Sequence, residues 1–507
     1  MKIIKFSENA LATALTNKFT SKEIIESKNQ FHYLKDYLGP NGINAKTIFI
    51  EEGYISKDFL LGYTSYYAYC FENFPKVCNR VHFFKNEFDQ KEFSEQILKH
   101  DQNFWNNYLG FIVVKPIPIT VIGFTVLKTY SDNNGLRNFW GVREYDTHIF
   151  GTEIKIDSLA FQEQDSVIAA CATTAIWSML NKASLDYHTK LKAPSEITKD
   201  ADNVSPDGSR LFPNKGLSLL QICQSIVNSG LVSEVKRGDL QKKGYGEVGN
   251  VVSAKYLKKI LNAYSPIGIP IILVIKVPNG NDYGAHAITV SGYKQRAPQL
   301  KQPTNTISWH SDDIERIYAH DDQWGPFARS RFINDFEIET HWTLIDPQNR
   351  GTVVQNIIVP IYPKIRISYE NIEVIILGLD IILTIFFDKN IVADLVWDIK
   401  IDYSEIFKSG LKNSSLNTTD KLNKLSGGLP KYIWISRCYI ADQKIIEFIF
   451  DATGVSNAML GLDVICYLPE KEKNILKDFL NNNKSKFKPL INHRNNSNYY
   501  EFIVNSI

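Results

Sequence analysis

Apolar and polar positions along this chain alternate, cluster or recur every three to four residues, and each rhythm predicts a different element. Alternation and short apolar runs bounded by turn residues predict strands at 108–116 and 120–130, separated by Pro116 and Pro118. The apolar run 269–277 and the alternating stretch after His286 predict two neighbouring strands. Pro278, Asn279 and Gly280 between them supply the dihedrals of a turn. A short apolar strand from Ile317 ends in Asp321 and Asp322, and 342–346 reads as a further strand. Three-to-four spacing predicts helices over 21–37, with Ser21 as N-cap, over 217–227 and over 254–263. A buried helix is predicted to begin at Cys171. The polar stretch 192–216 that follows is long for a loop and is expected to form one wall of a cleft. Beyond about 350, the segments 353–367, 372–387, 432–439 and 445–450 read as β-rich, and 409–430 reads as a mobile loop.

At 507 residues the chain exceeds what one core can fill, so several domains are expected. The element pattern divides it into an N-terminal α+β region (1–150), a central domain (151–350) and a β-rich C-terminal domain (351–507). The fold class is α+β, with a Cys-bearing helix packed on an antiparallel sheet that carries His and Asp.

The chemistry concentrates in the central region. Cys171 opens its helix, where the positive end of the helix dipole favours a nucleophilic thiolate. Gln164, seven residues upstream, has a side-chain amide that can donate to a developing oxyanion; Gln162 is the lesser candidate. His286 lies near the beginning of a strand, in Gly284-Ala285-His286-Ala287-Ile288. An acid at the end of the next strand would hold the imidazole in the right tautomer; Asp322 is the first choice and Asp321 the second. Cysteine, histidine and carboxylate in this order form a constellation for thiol-based acyl chemistry.

These residues resemble the papain-like superfamily of cysteine peptidases. Asp322-Gln323-Trp324-Gly325 is similar to its Asn-x-Trp-Gly segment, with Asp in place of Asn. The nearer likeness is to bacterial branches, the leader peptidases of bacteriocin exporters and phytochelatin synthase, over roughly 155–345. The resemblance implies a papain-like core, a Cys171–His286–Asp322 triad with Gln164 at the oxyanion, and a thioacyl-enzyme that hydrolyses a peptide or isopeptide bond. Three departures stand. Gln164 is one residue further from the cysteine than the family's Gln-x5-Cys spacing, no Cys-Gly-x-Cys-Trp signature surrounds Cys171, and 294–313 is a polar insertion. The same residues would serve an acyl transferase or isopeptide-processing enzyme. The flanking regions exceed what a peptidase needs and suit a non-catalytic interaction protein on a degenerate protease core, against which the retention of all three candidate groups argues, or the docking of a regulatory protein partner.

Composition narrows the frame. With 57 Lys+Arg against 55 Asp+Glu the net charge is +2, which points to neither nucleic acid nor an anionic membrane as partner. The most apolar window, 374–387, is shorter than the ~20 residues of a membrane span. Residues 1–9 lack the apolar core of a signal peptide. Cys70, Cys78, Cys171, Cys223, Cys438 and Cys466 are scattered without metal-ligand spacing, so no metal and no cofactor is expected, and a reduced, cytoplasmic setting is. The expected partner is a protein or peptide substrate.

Overall fold

The computed structural model describes residues 2–99, 101–165, 170–187, 189–201, 216–241, 250–297, 299–301, 306–387, 394–455, 460–492 and 498–507. The chain is mixed α+β and divides into two compact units. The first comprises Met1–Ala254, Gly268–Lys294 and Arg316–Pro360; the second comprises Lys255–Ile267, Gln295–Glu315 and Ile361–Ile507. No helix among the described residues is long and apolar enough to cross a membrane.

In the first unit, five strands form an antiparallel sheet in sequence order: Lys2–Lys5, Thr47–Tyr54, Cys78–Phe84, Tyr108–Val114 and Ile122–Leu127. Every residue of Tyr108–Val114 is buried, which explains why that segment reads as an unbroken apolar run. A boundary at 150 does not separate two cores. Leu34, Ile48, Ile112 and Val121 share one hydrophobic cluster with Phe161, Tyr318 and Phe327, so the N-terminal sheet and the hairpin after His286 fold around common apolar side chains. The helix expected over 21–37 is two, Lys22–Glu26 and Asn29–Leu38, the latter with Tyr33, Leu34, Tyr37 and Leu38 buried.

A second sheet carries His286 and Asp321. Its order is Ile338–Glu339, Gly325–Phe332, Ile314–Asp321, Asp282–Gln295, Ile271–Asn279, Val353–Ile361 and Val232–Arg237, with Arg137–Asn138 paired beside it to Asp282–Gln295. Ile271–Asn279 and Asp282–Gln295 join antiparallel through Gly280 and Asn281. Gly280 has φ 58°, the positive value that the first position of a two-residue hairpin turn of this hand demands and glycine adopts without strain. Helix Cys171–Tyr187 packs on this sheet, and the Thr289 hydroxyl donates to the Ala175 carbonyl at 2.8 Å. From Ala172 to Leu180 every residue of the helix is buried. The small side chains of Ala172, Thr173, Thr174 and Ala175 let its first turns be enclosed on all sides.

The second unit holds the sheet Ser308–Trp309, Leu395–Tyr403, Tyr432–Ile440, Gln443–Asp451 and Gly461–Cys466. Its last four strands are antiparallel neighbours and its first pair is parallel. Three expectations fail in the C-terminal region and two in the central region. Residues 372–387 belong to a helix, Tyr369–Phe387, in which Ile372, Ile375, Ile376, Leu379, Ile382 and Leu383 are buried at helical spacing. Val374, Leu377, Ile381 and Ile385 make a second, exposed apolar stripe, which hid the helical period. Segment 353–367 is a strand only over Val353–Ile361. The loop expected over 409–430 contains the end of helix Ser404–Lys412 and all of Thr418–Ser426, the latter capped by Asn417, whose side-chain oxygen accepts from the Asp420 amide at 2.8 Å. Residues 342–346 are not a strand but the helix His341–Ile345 and the residue after it. Part of 192–216 is the helix Pro194–Ala201, and 202–215 lie outside the described residues.

Gly325, at the start of the strand after Asp321, is packed against the Tyr33 ring. A Cβ there would come within 2.1 Å of Tyr33 Cδ1. Gly325→Ala is therefore expected to cost about 1–3 kcal/mol in chemical denaturation. The cost should shrink in a Tyr33→Ala background; equal costs in the two backgrounds would show that the close approach is not what makes glycine necessary.

Candidate active site

The approach to Cys171 is held from several sides. Thr125 and Phe161 exchange backbone hydrogen bonds of 2.8 and 2.9 Å. Glu163 is paired with Lys28 and accepts from the Ile122 amide at 3.2 Å. Asp165 accepts from the Tyr67 hydroxyl at 2.6 Å. Residues 166–169 lie outside the described residues, and the helix then begins at Cys171 as the sequence predicts. Cys171 is partly exposed at that N-terminus.

His286 lies in the middle strand of the second sheet, opposite Ile275, and is 6% exposed. Its Nε2 is 2.9 Å from Asp321 Oδ1, and the residue lines one groove with Cys171. With Nε2–H given to the carboxylate, Nδ1 is the ring nitrogen left for the thiol. Burial alone would depress the imidazole's pKa. The Asp321 carboxylate, then the Cys171 thiol and Asp322, outweigh it and hold the value well above that of an ordinary histidine.

The order of the two aspartates is the reverse of the sequence expectation. Asp321, the second choice, makes the short contact; Asp322, the first, stands 3.6 Å from the same nitrogen. The physical reason is a register shift between Ala319 and Asp321, followed by a tight turn in which the Trp324 amide donates to the Asp321 carbonyl at 2.9 Å. Strict alternation would send neighbouring side chains to opposite faces; the irregularity brings both carboxylates to the imidazole. Asp321 is the better held. Its Oδ1 also accepts from the Gln323 amide at 3.0 Å, and its Oδ2 accepts from the Trp342 indole at 3.1 Å. Asp322 is buried, its Oδ1 has no hydrogen-bond partner, and its Oδ2 takes only a 3.4 Å contact from the Gln323 side chain. Burial, aided by the neighbouring Asp321 charge and opposed by His286, pushes its carboxyl well above the usual carboxylate range.

A groove of about 560 Å³ runs past the thiol, lined by Gln164, Cys171, Leu217, Ile222, Val274 and His286 among others. Gln164 thus stands beside the cysteine. Gln162 does not: it lines a small neighbouring cavity with Asp58 and Lys115, and its Nε2 has no partner among the described residues. Gly216 and Ser218 contribute to the groove wall that was assigned to the loop after the Cys171 helix. Trp342 was missed as a site residue because its segment reads as a strand; its ring meets His286 edge-on at 5.7 Å and covers the buried pair. Asp165 and Tyr67 carry no spacing signal that would connect them to Cys171.

His286, Asp321 and Asp322 each offer a metal-ligand atom, all within 4.8 Å of one another. One divalent cation could use this set in place of the shared proton. No protein-family model matches the chain, and no curated protein sequence matches it. Its chemistry rests on its own geometry.

The Asp322 carboxyl holds its proton to higher pH in the folded chain than the ~3.9 of an unfolded aspartate. Its ionisation therefore subtracts stability progressively as pH rises from about 4 through the folded value. Asp322→Asn cannot ionise, so its stability relative to wild type should improve between pH 4 and pH 8 in urea denaturation. A difference that stays flat, or that falls with pH, would rule out a raised carboxyl at this position.

Proposed function

We propose that the protein is a cysteine peptidase with a papain-like core, acting on a peptide or isopeptide bond through Cys171, His286 and Asp321. The observation that carries this reading is the position of His286, which lines one groove with Cys171 and lies 2.9 Å from the Asp321 carboxylate. A raised imidazole pKa favours the thiolate–imidazolium pair, the resting state of a thiol nucleophile.

His286 accepts the proton of Cys171, and the sulfur attacks the carbonyl carbon of the bound amide. Negative charge develops on the former carbonyl oxygen, which faces the Gln164 side-chain amide and the Cys171 backbone N–H. Collapse of this intermediate breaks the C–N bond, and His286 delivers its proton to the departing amine. A water molecule, deprotonated by His286, then attacks the thioester and releases a carboxylic acid and the free thiol. Asp321 keeps the imidazole oriented throughout and stabilises its cationic form. Asp322 acts as a second acid beside the pair, and Trp342 keeps water from the 2.9 Å contact. The thiol must stay reduced for this chemistry, which fits the cytoplasmic setting expected from the dispersed cysteines.

Alkylation tests the pair without a known substrate. Iodoacetamide should label Cys171 at pH 6 at least about ten times faster in wild type than in His286→Ala, as read by peptide mass spectrometry. Asp321→Asn should slow labelling more than Asp322→Asn does. Once a substrate is found in a peptide library, Cys171→Ala should abolish turnover, and Asp321→Asn should lower kcat/KM by roughly 10²–10⁴. Equal labelling rates in wild type and His286→Ala would overturn the proposal.

A further inference from the structure

A larger cavity, of about 870 Å³, lies in the first unit behind the turn that carries Asp321. Its wall is aromatic, with Tyr33, Tyr130, Trp324 and His341 among the lining residues, and it contains one arginine, Arg329. The aromatic groups pack on each other: Tyr33 meets His341 at 5.2 Å and Trp324 meets His341 at 5.1 Å between ring centroids. The Arg329 guanidinium lies over Tyr130, 3.8 Å from the ring centroid. A guanidinium fixed by stacking keeps its N–H edge available for a planar anion.

Two buried N–H donors on this wall have no acceptor among the described residues. One is Arg329 Nε and the other is the indole Nε1 of Trp324, whose side chain is 6% exposed. Arg329 has no ion-pair partner among the described residues. Buried donors left unsatisfied cost stability in the absence of an acceptor and strengthen binding when one arrives. The acidic side chains on the same wall limit what that acceptor can be. Glu8 is engaged by Lys35 at 3.5 Å and Glu339 by Arg331 at 2.6 Å, but Asp36 also lines the space. A polyanion would meet that carboxylate, whereas a single carboxylate can satisfy the two donors with less repulsion.

We propose that this cavity binds an aromatic carboxylate, its carboxylate oxygens taking the Arg329 and Trp324 N–H groups and its ring resting on the aromatic wall. The site is separate from the Cys171 groove and shares none of its lining residues. The same chemistry is presented by a free aromatic acid and by the C-terminal residue of a peptide.

Isothermal titration calorimetry of the full chain distinguishes the alternatives. N-acetyl-L-tryptophan should bind with one-to-one stoichiometry, and its neutral amide, N-acetyl-L-tryptophanamide, at least ten times more weakly. Arg329→Met should weaken the acid at least ten-fold and leave the amide unchanged, while Cys171→Ala should bind both as wild type does. Should Arg329→Met fail to fold, Arg329→Lys keeps the charge but lacks Nε–H, and the same selective loss is expected. The peptide Ala-Ala-Ala-Trp binding as well as the free acid assigns the site to peptide C-termini; its exclusion assigns it to a small molecule. No saturable heat at millimolar acid, equal affinity for acid and amide, or binding of adenosine monophosphate in preference to the acid would each overturn the proposal.

Discussion

One buried contact organises the first unit: the 2.9 Å hydrogen bond between His286 Nε2 and Asp321 Oδ1. Both groups are nearly withdrawn from water, where a lone charge would be severely destabilised. Each is tolerated because the other is present, and removing one partner of such a pair typically costs roughly 3–5 kcal/mol. The surrounding polar groups serve the contact. The Gln323 amide and the Trp342 indole fill the remaining lone pairs of Asp321, and the strand order puts Ile314–Asp321 directly beside the His286 strand. The contact depends on correct register in two strand pairs, so the chemistry and the topology stand or fall together.

The N-terminal 150 residues are part of the same construction. Tyr33 donates to the Pro326 carbonyl at 2.6 Å, and Gln30 donates to the Asp322 carbonyl at 3.0 Å. These two bonds reach the aspartate turn from a helix nearly three hundred residues away in sequence. Lys28, on the same stretch of chain, holds Glu163 on the approach to Cys171. One N-terminal segment thus braces both the turn of Asp321 and Asp322 and the approach to Cys171.

Much of this was legible in the residues. A helix beginning at Cys171, the strands around His286 and the strand ending at the paired aspartates all follow from short-range pattern, because period and turn chemistry are local properties. The capped helix at Leu219–Asn228 was likewise visible, and Ser218 and Gln221 form its capping box. What failed was non-local. Alternation cannot reveal the register shift after Ala319, so it ranked Asp322 above Asp321. Trp342 sits in a five-residue helix whose composition suits a strand. Tyr369–Phe387 is apolar around its circumference and shows no helical moment to the eye. The absence of a boundary at 150 follows from long-range contacts such as those of Phe161 with the N-terminal sheet, and no compositional break marks them.

Burial of the Cys171 helix on every side, from Ala172 to Leu180, divides the groove into a fixed half and a plastic half. A side chain on that helix cannot change size without disturbing the core, so the position of Cys171 is inherited from packing. On the opposite wall Leu217 and Ser218 are open to solvent just before the helix Leu219–Asn228, whose Ile222 is buried. Substitutions at Leu217 and Ser218 have room that the Cys171 helix lacks, so the groove can change shape there while the thiol stays where the core holds it.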